Sequence, residues 1–183
     1  MNLVEDKENH SFLNMKDQPN RLIAAAFKLI RYKDVRMVDF TNTKFHDENM
    51  RTLASYLAVE TNLRSIYLDQ NAFTDDGIKR ICEELKHNTK IAHLSMKACT
   101  NVSEVGLNFL KDVISYQNTV LFQIDLDTET FNEELAKTIM LESSLNRDIQ
   151  ERLKPQKTVS MLNQKEPKIT IGQGLQSTEL TDR

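Results

Sequence analysis

The sequence predicts an α/β solenoid with four short parallel strands on a concave face, helices on the convex face and a helical cap at each end. An apolar triplet carries this expectation. It recurs as Val35-x-x-Val38-x-Phe40, Leu63-x-x-Ile66-x-Leu68, Ile91-x-x-Leu94-x-Met96 and Leu121-x-x-Ile124-x-Leu126, with starts 28, 28 and 30 residues apart. The last two apolar positions of each triplet alternate as one face of a strand does. After each triplet the apolar period lengthens to that of a helix: Met50, Leu53 and Leu57; Ile78, Ile81 and Leu85; Leu107, Leu110 and Ile114; Leu135 and Ile139. A strand and a helix of this size cannot bury their apolar faces alone, so the units must stack, strands against strands and helices against helices.

The ends follow from the same reasoning. Leu22, Ile23, Ala26, Phe27 and Ile30 repeat at helical spacing behind Gln18-Pro19-Asn20, a helix-start signal, and read as a leading cap over the first strand's edge. Leu145, Ile149 and Leu153 read as a closing helix, stopped by Lys154-Pro155. Residues 1–17 hold too few apolar positions for a second core and are expected as an extension along the surface. Residues 18–154 form the repeat domain. From Pro155 to Arg183 the chain has no period and reads as a tail, flexible or ordered by a partner. Within it, Lys168-Ile-Thr-Ile-Gly-Gln-Gly-Leu175 could add a strand to a partner's sheet edge.

The residue three places beyond each triplet is Thr43, Asn71, Cys99 and Glu129 in turn. Three of the four are small side chains able to bond the turn backbone. Together with Leu63-Arg-Ser-Ile-Tyr-Leu-Asp-Gln-Asn71, Asp76-Gly77-Ile78-Lys-Arg-Ile81 and Leu85-Lys-His-Asn88, this pattern resembles the leucine-rich repeats of the ribonuclease-inhibitor type, over roughly Leu22 to Leu153. The resemblance implies a protein-binding solenoid and leaves the partner open, because the group includes inhibitors, actin-filament cappers, immune sensors, GTPase activators and axonemal subunits. Two departures stand out. Asn49 replaces the helix-start glycine of the first unit, and the third turn gains two residues around Thr100 to Val105.

Bulk properties narrow the function classes. With 24 basic and 27 acidic residues in 183 the net charge is −3, which offers no concentrated basic surface for nucleic acid or anionic lipid. The longest strongly apolar stretch, Leu22 to Phe27, is far too short to span a bilayer. The acidic start resembles neither a secretory signal nor a presequence, and two cysteines make no disulfide scaffold, so a reducing compartment is expected. Cys82, His87, His93 and Cys99 have the residue types of a zinc site, but the repeat frame puts them on different layers. No cofactor is expected. Gly172-Gln-Gly174 lacks the rest of a phosphate-binding pattern, and no Ser, Cys or Thr stands in a recognisable nucleophile signature.

The partner-binding candidates are therefore the outward residues of the strands. They form three rows across the concave face: Met37, Ser65, His93 and Gln123; Asp39, Tyr67, Ser95 and Asp125; Thr41, Asp69, Lys97 and Asp127. Four strands present a face only about 15–20 Å wide. So small a solenoid is expected to bind another protein within a multisubunit assembly, in a cytoplasmic, cytoskeletal or axonemal setting. Regulation or inhibition of an enzyme or GTPase and a bacterial effector bound to a host protein are the competing expectations.

Overall fold

The computed structural model describes residues 2–5, 11–59, 62–116 and 118–153. The tail expected from Pro155 onward, including Lys168–Leu175, lies outside the described residues. In chain order the elements are β1 (Asn2–Glu5), β2 (Ser11–Asn14), a 3-10 turn (Asn20–Leu22), α1 (Ile23–Tyr32), β3 (Val35–Asp39), α2 (Asp47–Leu57), β4 (Ser65–Tyr67), α3 (Asp75–Leu85), β5 (His93–Ser95), α4 (Glu104–Tyr116), β6 (Gln123–Asp125) and α5 (Glu133–Leu153). The strands form one sheet in sequential order; β2 to β6 run parallel and β1 pairs antiparallel with β2.

Among the described residues the sheet therefore has six strands where the repeat pattern predicts four. Strand β2 pairs with β3, Leu13 opposite Val38, and both Leu13 and Met15 are fully buried. This differs from a surface extension capped by a helix. The open edge of β3 carries backbone N–H and C=O groups that a helix cannot satisfy and another strand can. Helix α1 instead packs beside α2, with Ile23, Ala26, Phe27 and Ile30 inward. At the other end the expected closing helix is not separate: α5 is one helix of 21 residues. Its buried face is Ala136, Ile139, Ser143 and Asn146, while Leu145 and Ile149 are exposed.

Between the four predicted strands and the helices that face them, the core is built from the predicted apolar positions, Leu135 only partly buried. Val38 and Phe40, Ile66 and Leu68, Leu94 and Met96, and Ile124 and Leu126 line the inner face of the sheet against Met50, Leu53, Ile78, Ile81, Leu107, Leu110 and Ile139. Phe27, Phe40, Phe45 and Tyr56 cluster at the N-terminal end, with ring centroids 4.9–6.2 Å apart. Helices α2 to α5 start where acidic residues meet free amide donors. In α3 the Thr74 hydroxyl accepts from the Asp76 amide, and Asp75 and Asp76 occupy the first turn, where the helix dipole favours negative charge.

Three polar ladders fix the stacking distance. At the strand exits Asn71 accepts from the amides of Thr43 and Phe45 in the preceding turn (3.1 and 2.9 Å) and donates to the carbonyls of Phe40 and Leu68 (both 2.9 Å). Thr43 Oγ1 bonds the Phe40 carbonyl and Cys99 Sγ the Leu68 carbonyl. Glu129 stays out; Asp127 bonds the Ala98 and Thr130 amides instead. The residue before each ladder position, Asn42, Gln70 and Ala98, has a left-handed backbone with φ of 53°, 56° and 54°.

At the helix starts Asp47 accepts from the Thr74 amide and hydroxyl, and Asp75 does the same for Ser103. Before the strands, Asn88 donates to Leu57, Asn118 to Leu85 and Asn88, and Asn146 to Asn118 and Leu121.

The helix-start ladder explains the glycines. A Cβ on Gly77 would lie 2.5 Å from Asp47 Oδ1 and 3.0 Å from Met50 Cγ, and one on Gly106 would meet Asp75 in the same way. Asn49 tolerates a side chain because no aspartate of an earlier unit is there; its Oδ1 accepts from Asn20 Nδ2 and the His46 amide. The two extra residues also divide differently from the sequence reading. Eleven positions separate the starts of β5 and α4 against ten for β4 and α3, so the turn takes one. The other falls between the start of α4 and β6.

Asn71→Ala is expected to lower the unfolding free energy by about 3 kcal/mol in urea titration, because two buried amides and two carbonyls lose partners together. Gly77→Ala is expected to cost about 1–3 kcal/mol by displacing the Asp47 carboxylate from Thr74. An unchanged midpoint in that variant would mean that the carboxylate does not position the helix.

Candidate functional site

The site is the outward face of the sheet, and the register sets which side chains meet. Met37, Ser65, His93 and Gln123 lie side by side, as do Asp39, Tyr67, Ser95 and Asp125. The pairing continues beyond the strands, with Phe40 N–H donating to the Tyr67 carbonyl, Leu68 to Ser95 and Met96 to Asp125, at 2.8–3.0 Å. This carries the third row, Thr41, Asp69, Lys97 and Asp127, along the same curve.

Alignment does not make every one of these residues available to a partner. Ser95 is 1% exposed and Thr41 8%. Asp39 accepts from the Thr41 amide at 2.8 Å, and Asp69 from Ser95 Oγ at 2.6 Å and the Lys97 amide at 2.8 Å. Burial alone would raise the Asp127 carboxyl, but the Thr130 hydroxyl and the amides of Ala98 and Thr130 outweigh it and hold the group below its ordinary value. Three of the four acidic residues of the face are thus tied into turns. Charge reversal at Asp69 would break a turn as well as the surface.

Four residues form the connected centre. His93 Nε2 lies 2.8 Å from Asp125 Oδ2, and the His93 ring meets Tyr67 edge-on with centroids 4.9 Å apart. Gln123 Nε2 reaches Asp125 at 3.4 Å. Partial burial, then the carboxylates of Asp125, Asp39 and Asp69, push the Tyr67 phenol above its ordinary value and keep it protonated at neutral pH. A protonated phenol amid carboxylates is a hydrogen-bond donor with an apolar ring, suited to anchoring a protein segment.

The sequence reading missed the neighbours of this centre. Arg36 and Arg64 stand at the strand entries, in a row continued by Ala92 and Phe122; Arg64 N–H donates to the Arg36 carbonyl at 2.7 Å. The Arg147 guanidinium of α5 sits 5.1 Å above the Phe122 ring. Basic and aromatic groups therefore border the entry end of the face and carboxylates the exit end. The signal was present at the position following the first apolar residue of each triplet, where Arg36, Arg64, Ala92 and Phe122 recur.

The four zinc-type residues sit apart in function. Cys82 and Cys99 are buried, and desolvation pushes both thiols up to about 12; His87 is exposed and His93 faces Asp125. Among the described residues no three His, Cys, Asp or Glu side chains gather as a metal site, and no helix is long and apolar enough to cross a membrane.

Solved structures share this frame. A structure of leiomodin-1 actin-binding site 2 superposes with a TM-score of 0.66 at 20% identity, over 77% of this chain and 83% of that one. The Caenorhabditis elegans tropomodulin C-terminal domain does so with a TM-score of 0.64 at 15% identity, over 81% and 91%. The chain has a leucine-rich-repeat-like fold. In sequence, human leiomodin-2 is 25% identical over 125 residues, which are 67% of this chain and 22% of leiomodin-2, and the rat and mouse proteins match to the same extent. The chain thus spans about a fifth of the length of these curated relatives. No family model matches it.

Proposed function

We propose that the chain is a non-catalytic protein-binding module of the actin cytoskeleton, and that it docks on actin, within a larger assembly, through the concave strand face centred on Tyr67. One observation carries the reading: sequence likeness and fold likeness lead independently to leiomodins, and the superposed leiomodin-1 structure is described as an actin-binding site. The character of the face supports it. Tyr67, His93, Gln123 and Asp125 form a preorganised polar and aromatic centre whose neighbours in the fold are fixed by hydrogen bonds, so little side-chain freedom is lost on docking. Such a face recognises a partner by shape and local hydrogen bonding.

Binding to monomeric actin by calorimetry and to filaments by co-sedimentation tests the reading. The unaltered chain should bind at least one form. Tyr67→Ala with Asp125→Lys should weaken binding at least about ten-fold, the loss expected when a central anchor is removed, while the far-ultraviolet spectrum stays unchanged. No binding of the unaltered chain to either form would overturn the actin assignment. Full binding by the double variant would move the contact off the concave face.

A further inference from the structure

The strand entries form an edge that the Tyr67 centre does not use. Backbone bonds set four residues side by side there: the Arg64 amide donates to the Arg36 carbonyl at 2.7 Å, Ala92 to Arg64 at 2.9 Å and Phe122 to Ala92 at 3.1 Å. With neighbouring strands about 4.8 Å apart, the row is about 14 Å long. None of the four is fully buried. Two long cations stand at one end and an aromatic ring at the other, and Ala92 stops at its Cβ, so the row is lowest between Arg64 and Phe122.

Helix α5 brings a third cation to this edge. The Arg147 guanidinium lies 5.1 Å above the Phe122 ring and reaches Gln123 Oε1 at 3.5 Å. Arg36 is paired with Asp34 at 3.3 Å, whereas among the described residues neither Arg64 nor Arg147 lies within ion-pair distance of a carboxylate. Arg64 gives one nitrogen to the Lys90 carbonyl at 3.3 Å and keeps its other donors.

We propose that this edge binds a short, extended, acidic segment of a partner protein that runs across the strands. Carboxylates of the segment pair with Arg64 and Arg147, and one apolar side chain between them settles over Ala92 against the Phe122 ring. The inference is separate from the actin reading, because it uses other residues and specifies only the chemistry of the segment. A guanidinium offers two parallel donors to a carboxylate, and clustered arginines are a recurrent means of recognising acidic peptides. From Arg64 to Phe122 is two strand spacings, about 10 Å, which extended chain covers in about three residue steps. That leaves room for an apolar residue between acidic ones.

The rest of the face selects against other anions. Carboxylates begin three residues further along the strands, at Asp39 and Asp125, about 10 Å from the row. A nucleic-acid strand or an anionic lipid plane laid on the edge would meet them too, while a short segment following the edge stays with the cations.

Fluorescence anisotropy of a fluorescein-labelled Gly-Asp-Asp-Leu-Asp-Glu-Gly peptide, titrated with the full chain, tests the proposal. Saturable binding is expected, weakened at least about ten-fold by Arg64→Ala with Arg147→Ala and no more than about two-fold by Arg51→Ala with Arg80→Ala. The second pair removes the same charge from exposed positions on α2 and α3. Because Arg147 also covers Phe122, the unaltered chain supplies a further comparison. Peptides with Asn and Gln in place of the acids, or Gly in place of the leucine, should each bind at least about five-fold more weakly. Absent binding of the first peptide, equal losses from the two arginine pairs, or equal affinity for the amide peptide would overturn the proposal. So would oligothymidylate or phosphatidylserine vesicles that bind more tightly than the peptide and lose that binding in the Arg64 and Arg147 variant.

Discussion

The turns after β3, β4 and β5 each depend on hydrogen bonds that the following repeat supplies. A strand of three residues leaves the chain with buried amides and carbonyls where it bends towards the helix, and leaving even one of them unpaired costs on the order of 1–3 kcal/mol. Asn71 illustrates the solution, since a single amide side chain serves the turn of its own repeat at Leu68 and three backbone groups of the repeat before it. Asp47 and Asp75 do the equivalent at the helix starts, and Asn88, Asn118 and Asn146 at the strand approaches. These contacts fix the register between strands, which aligns Tyr67 with Asp39, Ser95 and Asp125 and brings His93 onto Asp125. The candidate binding face follows from the way the turns are satisfied.

The same constraint governs the two ends. At the N-terminal side the unpaired edge of β3 is completed by β2, so Leu13 and Met15 enter the core and the aromatic cluster of Phe27, Phe40, Phe45 and Tyr56 closes it. At the C-terminal side α5 lies over β6, and Asn146 satisfies the approach to that strand through the Asn118 and Leu121 carbonyls. The helix then runs on to Leu153, with Leu141, Leu145 and Ile149 exposed on its outer side.

Where the apolar period was complete, the sequence was legible. Four triplets placed β3 to β6 and their facing helices, and position counting put the concave rows in the register that the strands adopt. Strand β2 escaped because its triplet lacks a first member: three residues before Leu13 stands His10, and Leu13-x-Met15 precedes Val38-x-Phe40 by 25 residues in place of 28. Helix α5 was misread because Leu145 and Ile149 have helical spacing, which reveals a period and not which face is inward; Asn146 takes the inner face because the Asn118 and Leu121 carbonyls beneath it need a donor, and Ser143 is buried beside it with its hydroxyl returned to the Met140 carbonyl of the same helix. The face itself was only partly legible. Alternation distinguishes in from out, but it could not tell that Asp39, Asp69 and Asp127 are engaged by turn amides while the Tyr67 hydroxyl has no partner among the described residues.

If shared turn bonds hold the repeats together, the described domain must open as one unit despite its modular plan. Native-state hydrogen exchange of the Phe40, Leu68 and Met96 amides, one from each of three successive turns, measures this directly when followed against denaturant. All three should merge onto the isotherm of global unfolding. Separate isotherms, with one turn opening well below the global free energy while its neighbours stay closed, would contradict the account.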